Sequence, residues 1–293
     1  MVRLARALAN SSAPAEVAAR VADALADLAD VSFAAAYLVG EHGKLRLESR
    51  RGAPAPSASQ PRLAAKALAA GTPVRAGARA DSAREVALPL VVGDDRLGVL
   101  LVGVAADASP RCESMLATVA DLTAVSMGSL RRAEDALSEA RRDPLTGAGN
   151  RRAFYERLEL MLARQRRPAA LALFDLDGLK AINDRSGHES GDEVLRQVAR
   201  RALATVRAAD DVYRVGGDEF ALVVDGDADV AERVSGRVRT AMTAQRRGTA
   251  LPTISVGIAA YPEHAATPDE LMSRADAAMY AAKHAGGNRV VRA

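Results

Sequence analysis

The heptapeptide Arg214-Val215-Gly216-Gly217-Asp218-Glu219-Phe220 sets two carboxylates directly after two glycines. Tyr213 and Val215 lead in, and Leu222, Val223 and Val224 lead out. Strand-forming residues on both sides of a Gly-Gly pair read as a β-hairpin with Gly216-Gly217 as its turn. Glycine there permits positive φ and lets a ligand approach bare backbone. Asp218 and Glu219 then stand at a rigid strand start, as a metal-holding carboxylate requires. A second pair, Asp175-Leu176-Asp177, closes the apolar run from Ala169 to Phe174. Carboxylates where a buried strand emerges suit a hard cation, and magnesium takes oxygen ligands while keeping water or phosphate oxygens. In extended backbone Asp175 and Asp177 share a face, but the chain turns here, so both need not bind. Gly178 frees backbone N–H groups to point at phosphate, and Lys180 adds a charge nearby.

A third stretch, Ile182 to Asp192, holds two glycines, a histidine and several carboxamide or carboxylate groups, and is too polar for core. Helical spacing resumes at Val194, Leu195, Val198 and Ala199, which puts Asp192 in a first turn, capping the helix or facing a ligand. An aspartate can accept from N1–H and the exocyclic amine of guanine, and an asparagine such as Asn183 can satisfy another edge. A solvated Gly-Gly-Asp turn and a surface Asp-x-Asp are both common, so the rest of the chain has to decide.

Its 293 residues suggest two domains, at about 100–200 residues each. With 49% hydrophobic and 26% charged residues there is material for two cores. Aromatics are only 3% and tryptophan is absent, so a nucleotide site would rely on polar groups more than stacking. A net charge of +3 with interspersed signs provides no basic arm for nucleic acid. One cysteine, Cys112, excludes an internal disulfide and a thiolate metal cluster, and fits a reducing cytoplasm. Arg3 and Arg6 interrupt the apolar start, unlike a secretory signal, and no apolar window reaches the ~18 residues of a membrane span.

The elements that must position these residues begin with a helix from Glu16 to Ala29, announced by Ser12 and Pro14. Strands follow at Val31 to Val39 and Lys44 to Ser49 across a turn at Glu41-His42-Gly43, then a loop from Arg51 to Pro61 and a helix from Leu63 to Ala70 closed by Gly71. Val86 to Val92 and Leu97 to Val104 form a hairpin across Gly93-Asp94-Asp95. This order suggests an α+β sheet domain. From about residue 10 to 127 it resembles the GAF family of small-molecule sensors, through its element order and its "LPLVVGDDRLGVLLVG" hairpin. No cysteine lies in the strands or central helix, which argues against a bilin-binding variety, and His42 in an exposed turn reads as solvated.

Glu113 to Arg142 reads as one long helix that Pro144 ends. Leu116, Thr123, Leu130 and Leu137 recur by heptads, with Val119, Ser126, Ala133 and Ala140 between them. Such a seam pairs two chains in parallel, and charged residues crowd the other faces of its second half. The alternative is an amphipathic helix packed on its own sheet.

The remaining blocks are Asp143-Pro144-Leu145-Thr146-Gly147 with Asn150-Arg151-Arg152, Phe174-Asp175-Leu176-Asp177, Lys180 to Asp184 with Gly187-His188 and Gly191-Asp192, the opening heptapeptide, Thr253 to Ala259, and Ala275 to Lys283. In this order they resemble the GGDEF diguanylate cyclase family over about residues 143–293. The resemblance implies a nucleotidyl-cyclase-like, ferredoxin-like α+β domain, with a central antiparallel sheet flanked by helices. It also divides the chain into a GAF-like sensor at 1–127, a signalling coiled-coil linker at 128–142 and a cyclase at 143–293.

By the same resemblance Asp175, the Leu176 carbonyl and Asp218 would hold Mg²⁺, with Mn²⁺ as an alternative, and Asp218 or Glu219 would serve catalysis. Asn183 and Asp192 would read guanine, with His188 near the ribose, while Lys180 and Lys283 would hold phosphates. The reaction joins two GTP molecules into cyclic di-GMP at a homodimer interface and releases two pyrophosphates. Arg207 and Asp210 match the family's RxxD product-inhibition site, with Arg239 or Arg237 as a second arginine. Gly287 stands where the family commonly has arginine, so one phosphate contact is missing. Ala148 and Gly178 are smaller departures. A non-catalytic receptor for cyclic di-GMP or GTP, and a maker of mixed dinucleotides, are the alternative function classes.

Overall fold

Strand-forming runs in the first half and alternating strands and helices in the second build two α+β units, Met1–Leu137 and Ser138–Ala293. The structure is a computed structural model, and it describes residues 8, 10–53, 57–76, 84–163, 168–207, 209–244 and 251–293. The amino-terminal run and part of the Pro-rich loop lie outside the described residues.

The first unit comprises α1 (Pro14–Ala26), β1 (Val31–Val39), β2 (Leu45–Gly52), α2 (Gln60–Ala70), β3 (Val74–Ala76), β4 (Arg84–Val92), β5 (Asp95–Val104) and α3 (Pro110–Ala140). Its antiparallel sheet has the order β2-β1-β5-β4-β3. Period-two alternation in β1 sends Ala34 and Ala36 to the face covered by α1 and α3, and Phe33, Ala35 and Tyr37 to the face covered by α2. β2 runs through Gly52, past its predicted end, because its backbone pairs with β1 as far as Phe33. The short β3 carries no sequence signal of its own. Leu116, Val119 and Thr123 of α3 are buried, the first two in the core against their own sheet. That half of the heptad pattern is therefore an amphipathic face, while Leu137 is 52% exposed. The helix stops at Ala140, before Pro144, where the chain turns into the Asp143 segment.

The second unit continues with α4 (Arg151–Ala163), β6 (Ala169–Leu176), α5 (Leu179–Ser186), α6 (His188–Thr205), β7 (Asp211–Arg214), β8 (Glu219–Asp225), α7 (Ala228–Thr243), β9 (Ile254–Tyr261), α8 (Pro268–His284) and β10 (Val290–Arg292). Its sheet order is β10-β9-β6-β8-β7, antiparallel except for the β10–β9 edge pair. β6 is buried along its whole length, as a continuous apolar run at the centre of a sheet must be. Ala170, Ala172, Phe174 and Leu176 face α5, α6 and α7, where Phe174 and Phe220 stack with centroids 5.3 Å apart. Leu171 and Leu173 face α4 and α8. The same period assigns Asp175 to the α8 side, at the end where β6 leaves the core.

Candidate functional site

Asp175 pairs across the sheet with Glu219 on one side and Ser255 on the other. Residues in such register have neighbouring side chains on one face. Asp175 is only 5% exposed, and Lys283 Nζ of α8 lies 2.7 Å from its Oδ2. Burial pushes the Asp175 carboxyl above the ordinary aspartate value; Lys283 opposes the shift, while the charges of Asp218 and Glu219 add to it. Asp175 is thus paired with one ammonium and feels the charge of two neighbouring carboxylates. Among the described residues no ready cluster of three or more metal-ligating side chains is formed. One desolvated carboxylate with acidic neighbours nevertheless suits a hard cation that draws its remaining ligands from phosphate and water. The donor set fits a divalent ion of that kind.

The hairpin forms differently from its expected turn. Val215 N–H donates to the Glu219 carbonyl at 2.9 Å, closing a loop in which neither Gly216 nor Gly217 adopts positive φ. Gly216 instead leaves room for the Glu219 carboxylate, since a Cβ there would lie 2.5 Å from Glu219 Oε2 and that side chain would have to move. Arg214 fastens this loop: its Nη2 donates to the Gly217 carbonyl at 2.7 Å and its Nη1 to Asp143 Oδ1 at 3.2 Å. Asp143 also accepts from the Thr146 hydroxyl at 2.6 Å and amide at 2.9 Å. Burial alone would raise the Asp143 carboxyl, but the Thr146 bonds and Arg214 outweigh it and hold it below the usual value. Asn150 caps α4 by accepting from Ala153 N–H, and its Nδ2 donates to the Ala140 carbonyl at 2.8 Å. The segment after α3 is thereby bonded to the acidic hairpin. Asp143 and Arg214 stand inside the sequence blocks, but their mutual role had no local signal.

The polar stretch from Ile182 to Asp192 is helical on both sides of a break. It is occupied by α5 and α6, broken at Gly187, whose φ of +83° ends one helix and starts the other. Asp192 consequently lies past the first turn of α6, does not cap it, and is half-buried. Asn183 Oδ1 is buried without a hydrogen-bond partner. A Cβ on Gly191 would sit 1.8 Å from that oxygen, so glycine is what allows the amide to lie there. His188 is exposed at the start of α6. Lys180 is exposed in the first turn of α5, whose N-terminus follows the left-handed Gly178 and has no side-chain cap. Its leading N–H groups can therefore meet an anion.

Arg207 is exposed and its carbonyl accepts from Asp210 N–H at 3.0 Å, while residue 208 between them lies outside the described residues. Asp210 is 6% exposed and its Oδ2 has no partner. Arg239 of α7 donates to the Asn288 carbonyl and side chain, so it is tied to the turn after α8. Arg237 is exposed on the same helix.

A buried strand-end aspartate, an acidic hairpin and a lysine from the last long helix therefore meet at one end of the second sheet. Residues 140–289 match the family described as diguanylate cyclase, GGDEF domain, and the chain belongs to that family. It is 41% identical over 175 residues to the bifunctional diguanylate cyclase/cyclic di-GMP phosphodiesterase MucR of Pseudomonas aeruginosa, covering 57% of this chain and 25% of MucR. It is 42% identical over 161 residues to the diguanylate cyclase TpbB of the same species, covering 52% of this chain and 37% of TpbB. The chain thus spans well under half the length of these relatives.

Among solved structures, the coiled coil and GGDEF domain of DgcB from Caulobacter crescentus, in complex with c-di-GMP, matches with a TM-score of 0.53 and 32% identity. That match covers 61% of this chain and 100% of the DgcB chain. Diguanylate cyclase SiaD from Pseudomonas aeruginosa, in complex with its activator SiaC, matches at 0.52 and 33%, covering 62% and 74%. No described helix is long and apolar enough to cross a membrane.

Proposed function

We propose that the chain condenses two GTP molecules into cyclic di-GMP with release of two pyrophosphates. The observation that carries this reading is the buried Asp175 carboxylate, 2.7 Å from Lys283 and in register with Glu219 of the acidic hairpin. A divalent cation, magnesium or in its place manganese, would be held by Asp175, Asp218 and the Leu176 carbonyl, and would neutralise phosphate charge and acidify the attacking hydroxyl. Lys283, Lys180 and the first N–H groups of α5 hold the phosphate oxygens. Asn183 and Asp192 read the guanine, and His188 lies by the ribose. Glu219 or Asp218 accepts the proton of the 3′-hydroxyl as its oxygen bonds to the α-phosphorus of the other nucleotide and the bond to pyrophosphate breaks.

Each unit of this kind holds one nucleotide, so turnover needs two copies face to face, and the exposed second half of α3 is the element suited to pairing them. In this reading residues 1–127 form a GAF-like sensor for a small molecule, 128–142 the connector and 143–293 the cyclase. Product returns to Arg207 and Asp210, with Arg239 as a further contact, and lowers turnover. The unpartnered Oδ2 of Asp210 supports an acceptor for a guanine edge there. Purified protein with GTP and Mg²⁺ should yield cyclic di-GMP by chromatography, and Asp218→Ala should lower the rate by about 10³-fold or more. No product from wild type at any protein concentration refutes the enzyme. The same Asp210 observation favours the receptor as a second reading, and calorimetric binding of cyclic di-GMP without turnover would select it.

A further inference from the structure

The proposed reaction leaves Asp177 without a task, although it is the second carboxylate of the strand-end pair. Its carboxylate is engaged on both oxygens. The Thr253 hydroxyl donates to Oδ2 at 2.6 Å, the Ser255 hydroxyl to Oδ1 at 2.7 Å, and the Asn288 N–H to Oδ2 at 3.0 Å. Its own N–H donates to the Thr253 carbonyl at 2.9 Å. The donors come from two separate segments, the start of β9 and the turn that follows α8.

That turn has an unusual backbone. Gly286, Gly287 and Asn288 take φ of +103°, +71° and +50° in succession. A Cβ at Gly287 would lie 3.1 Å from Asp177 Oδ2, so the turn runs close against this carboxylate. The N–H groups of Gly286 and Gly287 reach back to the carbonyls of Lys283 and Ala282, both at 3.1 Å. Asp177 is therefore bonded to the turn, and the turn to the backbone of Lys283, while Gly178 and the start of α5 follow Asp177 directly.

We infer that Asp177 is a positioning residue for the triphosphate. It fixes the phosphate-facing start of α5 against the helix end that carries Lys283, and it does not ligate the metal. This rests on the proposed nucleotide site. The role needs acceptors of a given shape rather than a charge. An asparagine can accept from Thr253 and Asn288 through its carbonyl and donate to Ser255 Oγ through its amide. A metal ligand would not tolerate that exchange.

The test uses the full chain and its Asp177→Asn, Asp177→Ala, Thr253→Val and Asp175→Asn variants. Two quantities are measured: hydrogen exchange at the Asn288 amide without nucleotide, and affinity for a non-hydrolysable GTP analogue with Mg²⁺. Asp177→Ala should lose Asn288 protection and about 10-fold or more in analogue affinity, in the range of outer-shell losses. Thr253→Val should lose about threefold while leaving the carboxylate in place, which keeps the test open should Asp177→Ala fold poorly. Asp177→Asn should keep Asn288 protection and stay within about threefold of wild type, far from the loss in Asp175→Asn. Asp177→Asn binding as poorly as Asp175→Asn, or Asp177→Ala binding as wild type does, overturns the inference. Wild type binding no analogue overturns the functional reading and this role with it, a result no variant can imitate.

Discussion

Both units are built on five-stranded sheets covered by helices, yet they differ in what they bury. In the first, the described buried polar residues are Gln60 and Thr123, both neutral. Thr123 donates to the Val119 carbonyl one helical turn back, and Gln60 to Glu85. In the second, two of the buried polar residues are carboxylates, Asp175 and Asp210. A buried carboxylate is costly unless paired and bonded, so a fold without a use for it loses nothing by replacing it. Neutral packing is what holds the sheet of the first unit, whereas the second keeps charge where strands end and chemistry is proposed. Responses to pH should therefore separate the two units.

The largest effect belongs to the neutral core. Phe33 is 1% exposed, among the alanines that face α2. Phe33→Ala should lower the stability of the first unit by about 3–5 kcal/mol, read as a lower calorimetric transition. The loss should be nearly the same at pH 5 and pH 8, because nothing titratable is removed. A loss that changed steeply between those values would erase the contrast between the units.

A smaller and titrating loss is expected at Asp143→Ala. The substitution removes the acceptor for Thr146 and Arg214, and should cost the second unit about 2 kcal/mol near neutral pH. The sign follows from the lowered folded-state value of the Asp143 carboxyl. Its stabilisation is fully present above the ordinary aspartate value of 3.8 and is lost as pH falls through the lower folded value. Wild type and variant should therefore converge in stability only in strong acid, as melting curves across pH would show.

Residues close in sequence were legible, and residues joined across it were not. The alternation in β1, the apolar run of β6 and the hairpin flanks each state their element within a few residues. So do the glycine-carboxylate blocks, which also supply the proposed site residues. The tie from Arg214 to Asp143 spans 71 positions and that from Ser255 to Asp177 spans 78, beyond any local pattern. The polar run between Ile182 and Asp192 concealed where α5 ends and α6 starts, because most of its side chains face solvent and its break depends on one φ, at Gly187. β3 and β10 have three residues each, too few to show a period. At Gly216 the expected positive φ is absent, and the Glu219 carboxylate folded over it, which no local pattern foretells, takes the space a Cβ would fill.

The smallest effect is the one that tests the comparison most directly. Asp175 lies in the same unit as Asp143, but its carboxyl is pushed up, by burial first; Lys283 opposes the shift without cancelling it, and the charges of Asp218 and Glu219 add to it. A raised folded-state value means that the native state holds the proton more tightly than the unfolded chain does. Above that value the ionised carboxylate is a net burden on the fold, and the burden fades as pH falls toward the ordinary value of 3.8. Asp175→Asn should accordingly raise the melting temperature of the second unit by about 2–4 °C at pH 7 and by nothing below about pH 4, while abolishing turnover. A variant less stable than wild type at pH 7 would mean that the Lys283 pair supports the fold, and the carboxylate could then be kept for structure alone. A stabilised, inactive variant would show the opposite: the second unit gives up stability to hold a charge that only its chemistry uses.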